Sequence, residues 1–392
     1  MQYHIAIIGG GAAGLMAACA AAMESGGIRI AVIEQQQRVG KKILATGNGR
    51  CNLSNISMDL GHFHTQDPEI LAKILANCSQ ENTLAYFSRL GLRTAIEDGR
   101  IYPESRQASA VLDVLRFGAL YRGVEILTDI PVTNLEHVTE GFVVHTRQGT
   151  PIYAKRVVVA TGGLAAVGSN LAYDWLKALG HKSCATFPAL VPLTAKHPFP
   201  QLKGVRVHAK LSLHQGGREQ AADTGEVQFT AYGLSGIPAM QVSNKYQSEI
   251  PDALAILDLV PNQSESDLTA EIRERQRMLA PQSDLFVGWL HKHIAAEVQK
   301  AAGHNKDDPA GLAHALKNWA IPLKGTRGFE HAQTTGGGIR LSDFDPANME
   351  SRRVPGLFVA GELLDVYGDC GGYNLQWAWS TGILAGKGAA ER

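Results

Sequence analysis

Apolar residues in this chain fall into short unbroken blocks separated by glycines, and clear alternation is confined to the middle of the sequence. The first block, His4 to Ile8, is followed by Gly9, Gly10, Gly11 and Gly14, an alanine-rich run from Ala12 to about Ser25, and a second block, Ile28 to Ile33, ending at Glu34. An unbroken apolar block of strand length reads as a strand buried on both faces, and the alanine-rich run reads as a helix, which makes a βαβ unit. Pro68 to Leu90 and Ala108 to Tyr121 are predicted helical, and Val124 to Leu127 is predicted as a third parallel strand. Phe142 to His145 and Ile152 to Ala154 form a predicted meander that feeds a strand, Arg156 to Ala160, ending in Thr161-Gly162-Gly163.

From Leu190 to about Asn244 the pattern changes to alternating strands, including Val205 to Leu213 and Glu226 to Thr230. Ser264 to Ala302 and Pro309 to Trp319 are polar, periodic and predicted helical, while Gly356 to Ala360 and Leu375 to Gly386 supply a last strand and a last helix. The pattern reads as an α/β fold class: a first domain to which the chain returns at its end, and a different domain inserted from about Leu190 that carries a helical subdomain.

The totals narrow the function. Lys plus Arg (37) equals Asp plus Glu (37), so no nucleic-acid footprint is visible and the expected partner is a small molecule. The apolar N-terminal run is broken by glycines and has no basic leader, so neither a signal peptide nor a membrane span is expected, and the cytoplasm is the expected location. Five scattered cysteines without a Cys-x-x-Cys pair fit a reducing compartment and argue against a dithiol relay beside a flavin. The histidines are dispersed, and no metal is expected.

Gly9, Gly11 and Gly14 form G-x-G-x-x-G between a strand and a helix, with Glu34 twenty residues beyond Gly14. That arrangement binds a dinucleotide: the backbone approaches the pyrophosphate at Gly11, and an acid at Glu34 takes ribose hydroxyls. FAD rather than NAD is suggested by the other end of the chain. There Gly361-Glu362 places a carboxylate for a ribityl hydroxyl, and Gly371-Gly372-Tyr373-Asn374 opens a helix whose N–H groups would face the flavin pyrimidine. Gly47-Asn48-Gly49-Arg50-Cys51-Asn52 is only a near miss for a second fingerprint, so NAD(P)H is expected at most as a transient electron donor.

The stretches Gly40-Lys41-Lys42 to Gly47, Gly49-Arg50-Cys51-Asn52, Gly225-Glu226 to Tyr232-Gly233-Leu234-Ser235-Gly236, Thr335-Gly336-Gly337-Gly338 and Gly356 to Gly382 resemble the bacterial aminoacetone oxidase family of BaiN/YhiN-like flavoproteins. That family also includes bile-acid dehydro-reductases and is distantly similar to fumarate reductase flavoprotein subunits. The resemblance implies a three-part architecture: a discontinuous Rossmann-type FAD-binding domain (1–189 and 334–392) with an inserted β-barrel (190–262 and 321–333) carrying a helical module (263–320). It implies flavin contacts at Gly9, Gly11, Ala12, Ala13, Gly14, Glu34, Lys42, Gly49, Arg50, Cys51, Asn52, Val132, Gly162, Gly361, Glu362, Asn374 and Leu375. The turn Gly168-Ser169-Asn170-Leu171-Ala172-Tyr173-Asp174 departs from the family's Gly- and acid-containing turn.

For the chemistry, Arg50 is a candidate to neutralise an anionic substrate or the reduced flavin, with a phosphate or loop contact as the competing role. Asn52 is a candidate donor to a carbonyl, and Tyr373 a candidate proton donor or flavin wall. Cys51 reads as a packed cysteine, and Tyr232 and Ser235 as residues that reach the flavin or simply line a barrel turn. The expected activity is hydride transfer through flavin N5, as an amine oxidase or C=C reductase. The rival classes are a flavin-containing sensor and an RNA-associated flavoprotein.

Overall fold

The first apolar block is strand β1 (Gln2–Ile8), whose last four residues are all buried. The structure is a computed structural model that describes residues 2–165, 170–279, 284–305 and 307–391. Helix α1 (Ala12–Glu24) and strand β2 (Ile30–Ile33) complete the unit, and β2 pairs parallel to β1 from Ile5↔Ile30 to Ile8↔Ile33. By internal contacts the chain divides into one unit of Met1–Phe187 with Thr334–Arg392 and a second of Pro188–Gln333.

Within the first unit the described residues form a seven-stranded sheet. Its order is β3 (Glu125–Leu127), β2, β1, β6 (Ile152–Val159), β5 (Gly141–Thr146) and β4 (Val132–Val138), with β7 (Leu357–Val359) beside the end of β6. β1, β2, β3, β6 and β7 run parallel, so their carboxyl ends share one edge, where open α/β sheets bind ligands. The meander and the following strand predicted separately at 152–160 are one continuous strand, because the same β6 backbone pairs antiparallel with β5 at its start and parallel with β1 along its length.

Helix α1 is covered by the last helix, which runs Tyr373–Ala390, from two residues before the predicted start to four beyond the predicted end. The glycines within this helix are contact points. A Cβ on Gly382 would lie 2.6 Å from the Ala13 carbonyl, and one on Gly386 would lie 2.3 Å from that of Ala17. Small residues on both helices let the backbones touch, and this close pair joins the two ends of the chain. The predicted helix 68–90 is two helices, Pro68–Asn77 and Gln80–Arg89. Ser79 starts the second, with its hydroxyl and the Asn82 side chain closing a capping box.

The second unit holds a closed six-stranded barrel among its described residues. The order is Leu193–Ala195, Gly233–Gly236, Arg218–Phe229, Arg206–Gln215, Leu254–Asp258 and Trp319–Thr326, the last pairing back to the first. Leu211, Leu213, Val227, Phe229, Leu257, Trp319 and Ile321 fill its core. The hairpin's second strand begins at Arg218, eight residues before the predicted Glu226, because Arg218 to Gly225 is largely polar and lies open to solvent, hiding its strand character. Three helices, Glu265–Met278, Lys292–Ala302 and Pro309–Lys317, come between the strands Leu254–Asp258 and Trp319–Thr326; the single run predicted from 264 to 302 holds the first two of them.

Candidate active site

The carboxyl edge of the parallel strands gathers residues that are hundreds of positions apart. Gly9, directly after β1, has φ +106°, and a Cβ there would sit 2.4 Å from the Ala160 carbonyl. A Cβ on Gly14 would lie 1.9 Å from the Gly9 carbonyl, so this glycine lets α1 start against the strand. Gly11 differs: among the described residues nothing packs within 4 Å of its Cβ position, which leaves open space there. The first bond inside α1 runs from Leu15 N–H to Gly11 O at 3.0 Å, which leaves the N–H groups of Ala12, Ala13 and Gly14 without helical partners, at the positive end of the dipole. Open space over free N–H groups is a seat for a diphosphate.

Glu34 anchors that turn. One carboxylate oxygen accepts from Gly10 N–H and the other from Gln36 N–H, both at 2.8 Å. Each oxygen keeps a lone pair for a ribose hydroxyl. The Glu34 carbonyl accepts from Ile130 N–H at 3.0 Å, which brings the stretch leading to Val132 beside the acid.

The C-terminal segment reaches the same edge. Gly361 follows β7, and a Cβ there would lie 2.9 Å from the Ala13 Cβ, so residues 348 positions apart are in contact. Trp377 Nε1 donates to the Gly361 carbonyl at 3.1 Å, and Gly361 N–H donates to Thr381 at 3.0 Å. Next in line, Glu362 pairs with Lys42 at 2.6 Å and accepts from Thr335 N–H at 3.0 Å. Lys42 and Glu362, proposed from separate motifs, thus form one polar group. Gly162, with φ +78°, lies at the end of β6, and its carbonyl accepts from Asn170 at 2.7 Å.

In the loop after Lys42, Gly47, Asn48, Gly49 and Cys51 all take positive φ, which coils the backbone tightly. Arg50 points to Glu97 (3.0 Å) and over the Tyr102 ring (4.6 Å), so the loop contact accounts for it and its role as a charge partner for substrate or flavin has no geometric support. Cys51 is buried, and burial pushes its thiol up to about 11, so it stays protonated and packed. Asn52 is the informative member: its Oδ1 is buried and has no partner among the described residues. Such an atom costs about 1–3 kcal/mol unless a bound group completes it.

The start of the last helix packs on this loop. A Cβ on Gly372 would meet the Ser54 carbonyl at 2.6 Å, and Ser54 Oγ bonds Gln376 at 2.7 Å. The Asn374 side chain is spent on its own turn, accepting from Gly368 N–H and donating to Gly368 O, both at 2.8 Å. What Asn374 and Leu375 offer a ligand is backbone N–H, because the first bond within the helix is made by Gln376. Tyr373 stacks on His62 at 4.4 Å and meets Phe63 edge-on. Burial, with Asp369 next, pushes its hydroxyl above the ordinary tyrosine range, so it stays protonated.

Several polar groups were missed in the sequence. His62 and His64 both bond Asp369, at 3.0 and 2.8 Å, a pairing that only a His-x-His spacing hinted at. Asp365 is buried, accepts from Gln66 N–H (3.1 Å) and Cys184 (3.3 Å), and is pushed above the usual carboxylate range by burial. Thr335 accepts from Leu164 and Ala165 N–H at 2.8 and 3.0 Å. Of the turn that departs from the family, Gly168 and Ser169 lie outside the described residues. Tyr232 and Ser235 belong to the second unit, at strand Gly233–Gly236, where a Cβ on Gly233 would meet the Leu193 carbonyl at 2.3 Å. Barrel packing accounts for that glycine.

The residues that make this edge lie in a stretch matched almost end to end by one family model, the HI0933-like protein Rossmann domain, over residues 3–388. The chain belongs to this family. The HI0933-like chain is 39% identical over 407 residues to the 3-dehydro-bile acid delta(4,6)-reductase of Clostridium scindens, covering 99% of each. It is 28% identical over 398 residues to the ribosomal RNA dihydrouridine synthase of Escherichia coli, covering 97% of this chain and 96% of the relative. Among solved structures, the 3-ketosteroid-delta4-(5alpha)-dehydrogenase of Rhodococcus jostii shares the fold, with a TM-score of 0.55 at 16% identity, over 100% of this chain and 97% of that one. No helix among the described residues is long and apolar enough to cross a membrane.

Proposed function

We propose that this HI0933-like chain is an FAD-dependent oxidoreductase that reduces a C=C bond conjugated to a carbonyl in a small molecule. The observation that carries the reading is the meeting of Ala13 and Gly361 beside the open space over Gly11. One FAD fits that edge: the N–H groups of α1 hold the diphosphate, Glu34 the adenosine ribose, Lys42 and Glu362 the ribityl chain, and the N–H groups opening the last helix the pyrimidine end of the ring. The unpartnered Asn52 Oδ1 fits a donor on the same group. Flavin supplies hydride transfer at N5, and the protein supplies position and field.

The C=C direction is favoured over amine oxidation by the names of the relatives. A delta(4,6)-reductase and a dihydrouridine synthase both add hydrogen across a ring C=C next to a carbonyl. NAD(P)H, bound transiently at the flavin face, supplies the electrons, and five scattered cysteines without a Cys-x-x-Cys pair support a cytoplasmic location.

A second reading, uridine in RNA as the substrate, is favoured by the ribosomal RNA dihydrouridine synthases at 28% identity. The small molecule is preferred because the higher identity is to a bile-acid enzyme and the chain carries no net positive charge to hold a phosphate backbone. The test is anaerobic: NADH or NADPH should bleach the yellow holoenzyme, and a 3-keto-delta4 steroid should restore the colour. Restoration by uridine-containing RNA alone would establish the second reading. Bleaching by an amine, with peroxide released when oxygen is admitted, would make the enzyme an oxidase.

A further inference from the structure

One buried hydroxyl at the sheet edge is left without a hydrogen-bond partner among the described residues. Tyr173 lies in the helix Ala172–Ala178, and only 7% of its surface is exposed. The helix start is tied to the end of β6: Asn170 Nδ2 donates to Thr161 Oγ1 (2.9 Å) and Gly162 O (2.7 Å), while its Oδ1 accepts from Ala172 N–H at 3.0 Å. One residue further on, the Tyr173 hydroxyl is fully enclosed and has no hydrogen-bond partner among the described residues. The charges that bear on it are the carboxylates of Glu362 and Asp365.

The Glu362 carboxylate is itself held in place. Thr335 is bonded to Glu362 through its N–H, and a Cβ on Gly163 would lie 2.3 Å from Thr335 Oγ1 and 2.7 Å from Glu362 Oε1. Tyr173, which feels the Glu362 charge, therefore belongs beside the Lys42 and Glu362 pair proposed to hold the ribityl chain. A buried phenol without a partner is costly, and native proteins keep such groups where a bound group completes them. Burial and the two carboxylates hold this hydroxyl protonated, so what it has to give is a hydrogen bond.

We propose that the Tyr173 hydroxyl donates a hydrogen bond to a carbonyl oxygen that gains negative charge during the reaction, on the flavin ring or on the conjugated substrate. The inference rests on the FAD reading above. It makes Tyr173 a specificity and positioning group for which the motifs of the glycine loops give no signal.

The test is Tyr173→Phe, which keeps the ring and removes only the oxygen. In FAD-free protein the variant should melt at the same temperature as the parent or higher, because an unpaired polar atom has been removed. With FAD restored, one of two results supports the proposal. A flavin carbonyl partner predicts about tenfold weaker FAD binding with a shifted visible spectrum and reduction potential. A substrate carbonyl partner predicts an unchanged flavin and about tenfold loss in kcat/KM for a 3-keto-delta4 steroid; both correspond to one hydrogen bond. A lower melting temperature in FAD-free protein would mean the hydroxyl has a structural partner and would overturn the proposal, as would a variant identical to the parent in every reading. If the parent itself takes up no FAD, the underlying reading fails instead, and the two failures cannot be confused.

Discussion

The two ends of the proposed cofactor seat both offer backbone N–H groups but are supported by opposite means. At the first helix the glycines clear a path to those groups: Gly11 has no described neighbour near its Cβ position and Gly14 faces the Gly9 carbonyl. At the last helix side chains hold the turn from inside the protein, as Asn374 does with Gly368 and Gln376 with Ser54, Thr83 and Ser380. The first support is written in local spacing, whereas the second depends in part on Ser54 and Thr83, hundreds of residues away.

The comparison is broken most sharply at the first end. Gly14→Ala should cost about 3 kcal/mol or more in urea unfolding, since its Cβ would fall 1.9 Å from the Gly9 carbonyl. Gly11→Ala, three residues away, should leave stability within about 0.5 kcal/mol yet weaken FAD binding strongly, because its Cβ enters space that the diphosphate needs. If both variants lost stability equally, the distinction between packing and ligand glycines would be wrong.

The Rossmann turn was legible for the physical reason that G-x-G-x-x-G and an acid twenty residues on constrain one another locally. Glu362 was legible as an acid following a strand and a glycine, but its pairing with Lys42, 320 residues away, was not. Arg50 and Tyr373 were drawn toward the chemistry by residue type alone. Glu97 and His62, which claim them in the fold, lie in segments with no motif. Tyr173 was hidden because a buried tyrosine in a short helix looks like core until its hydroxyl is found unpaired. In the barrel, the polar face of Arg218–Phe229 erased half a strand from the pattern.

Away from the seat, Asp67 and Arg340 form a double hydrogen-bonded pair at 2.9 and 2.6 Å, and Asp67 is 9% exposed. Asp67→Asn should therefore cost about 2–3 kcal/mol, less than Gly14→Ala. The Arg340 guanidinium holds the Asp67 carboxyl below its ordinary 3.8, so this stability is present above that pH and is lost as pH falls through the lowered value. Melting curves from pH 6 to 2 should accordingly be flatter for the variant than for the parent.

A small stability effect is also expected at the second end of the seat. Lys42→Met removes an ion pair whose lysine is 47% exposed and should change stability by less than about 1 kcal/mol. FAD binding should nonetheless weaken severalfold. Unchanged FAD binding would take Lys42 out of the seat and leave Glu362 alone there.

The expectations about FAD binding depend on the two chain ends holding one cofactor between them. Absorbance titration of FAD into the FAD-free chain, followed by gel filtration, tests this directly. The expected result is one yellow FAD retained per chain, with retention lost in Gly11→Ala while that variant stays folded. A chain that elutes colourless after saturation with FAD, although folded, would contradict it.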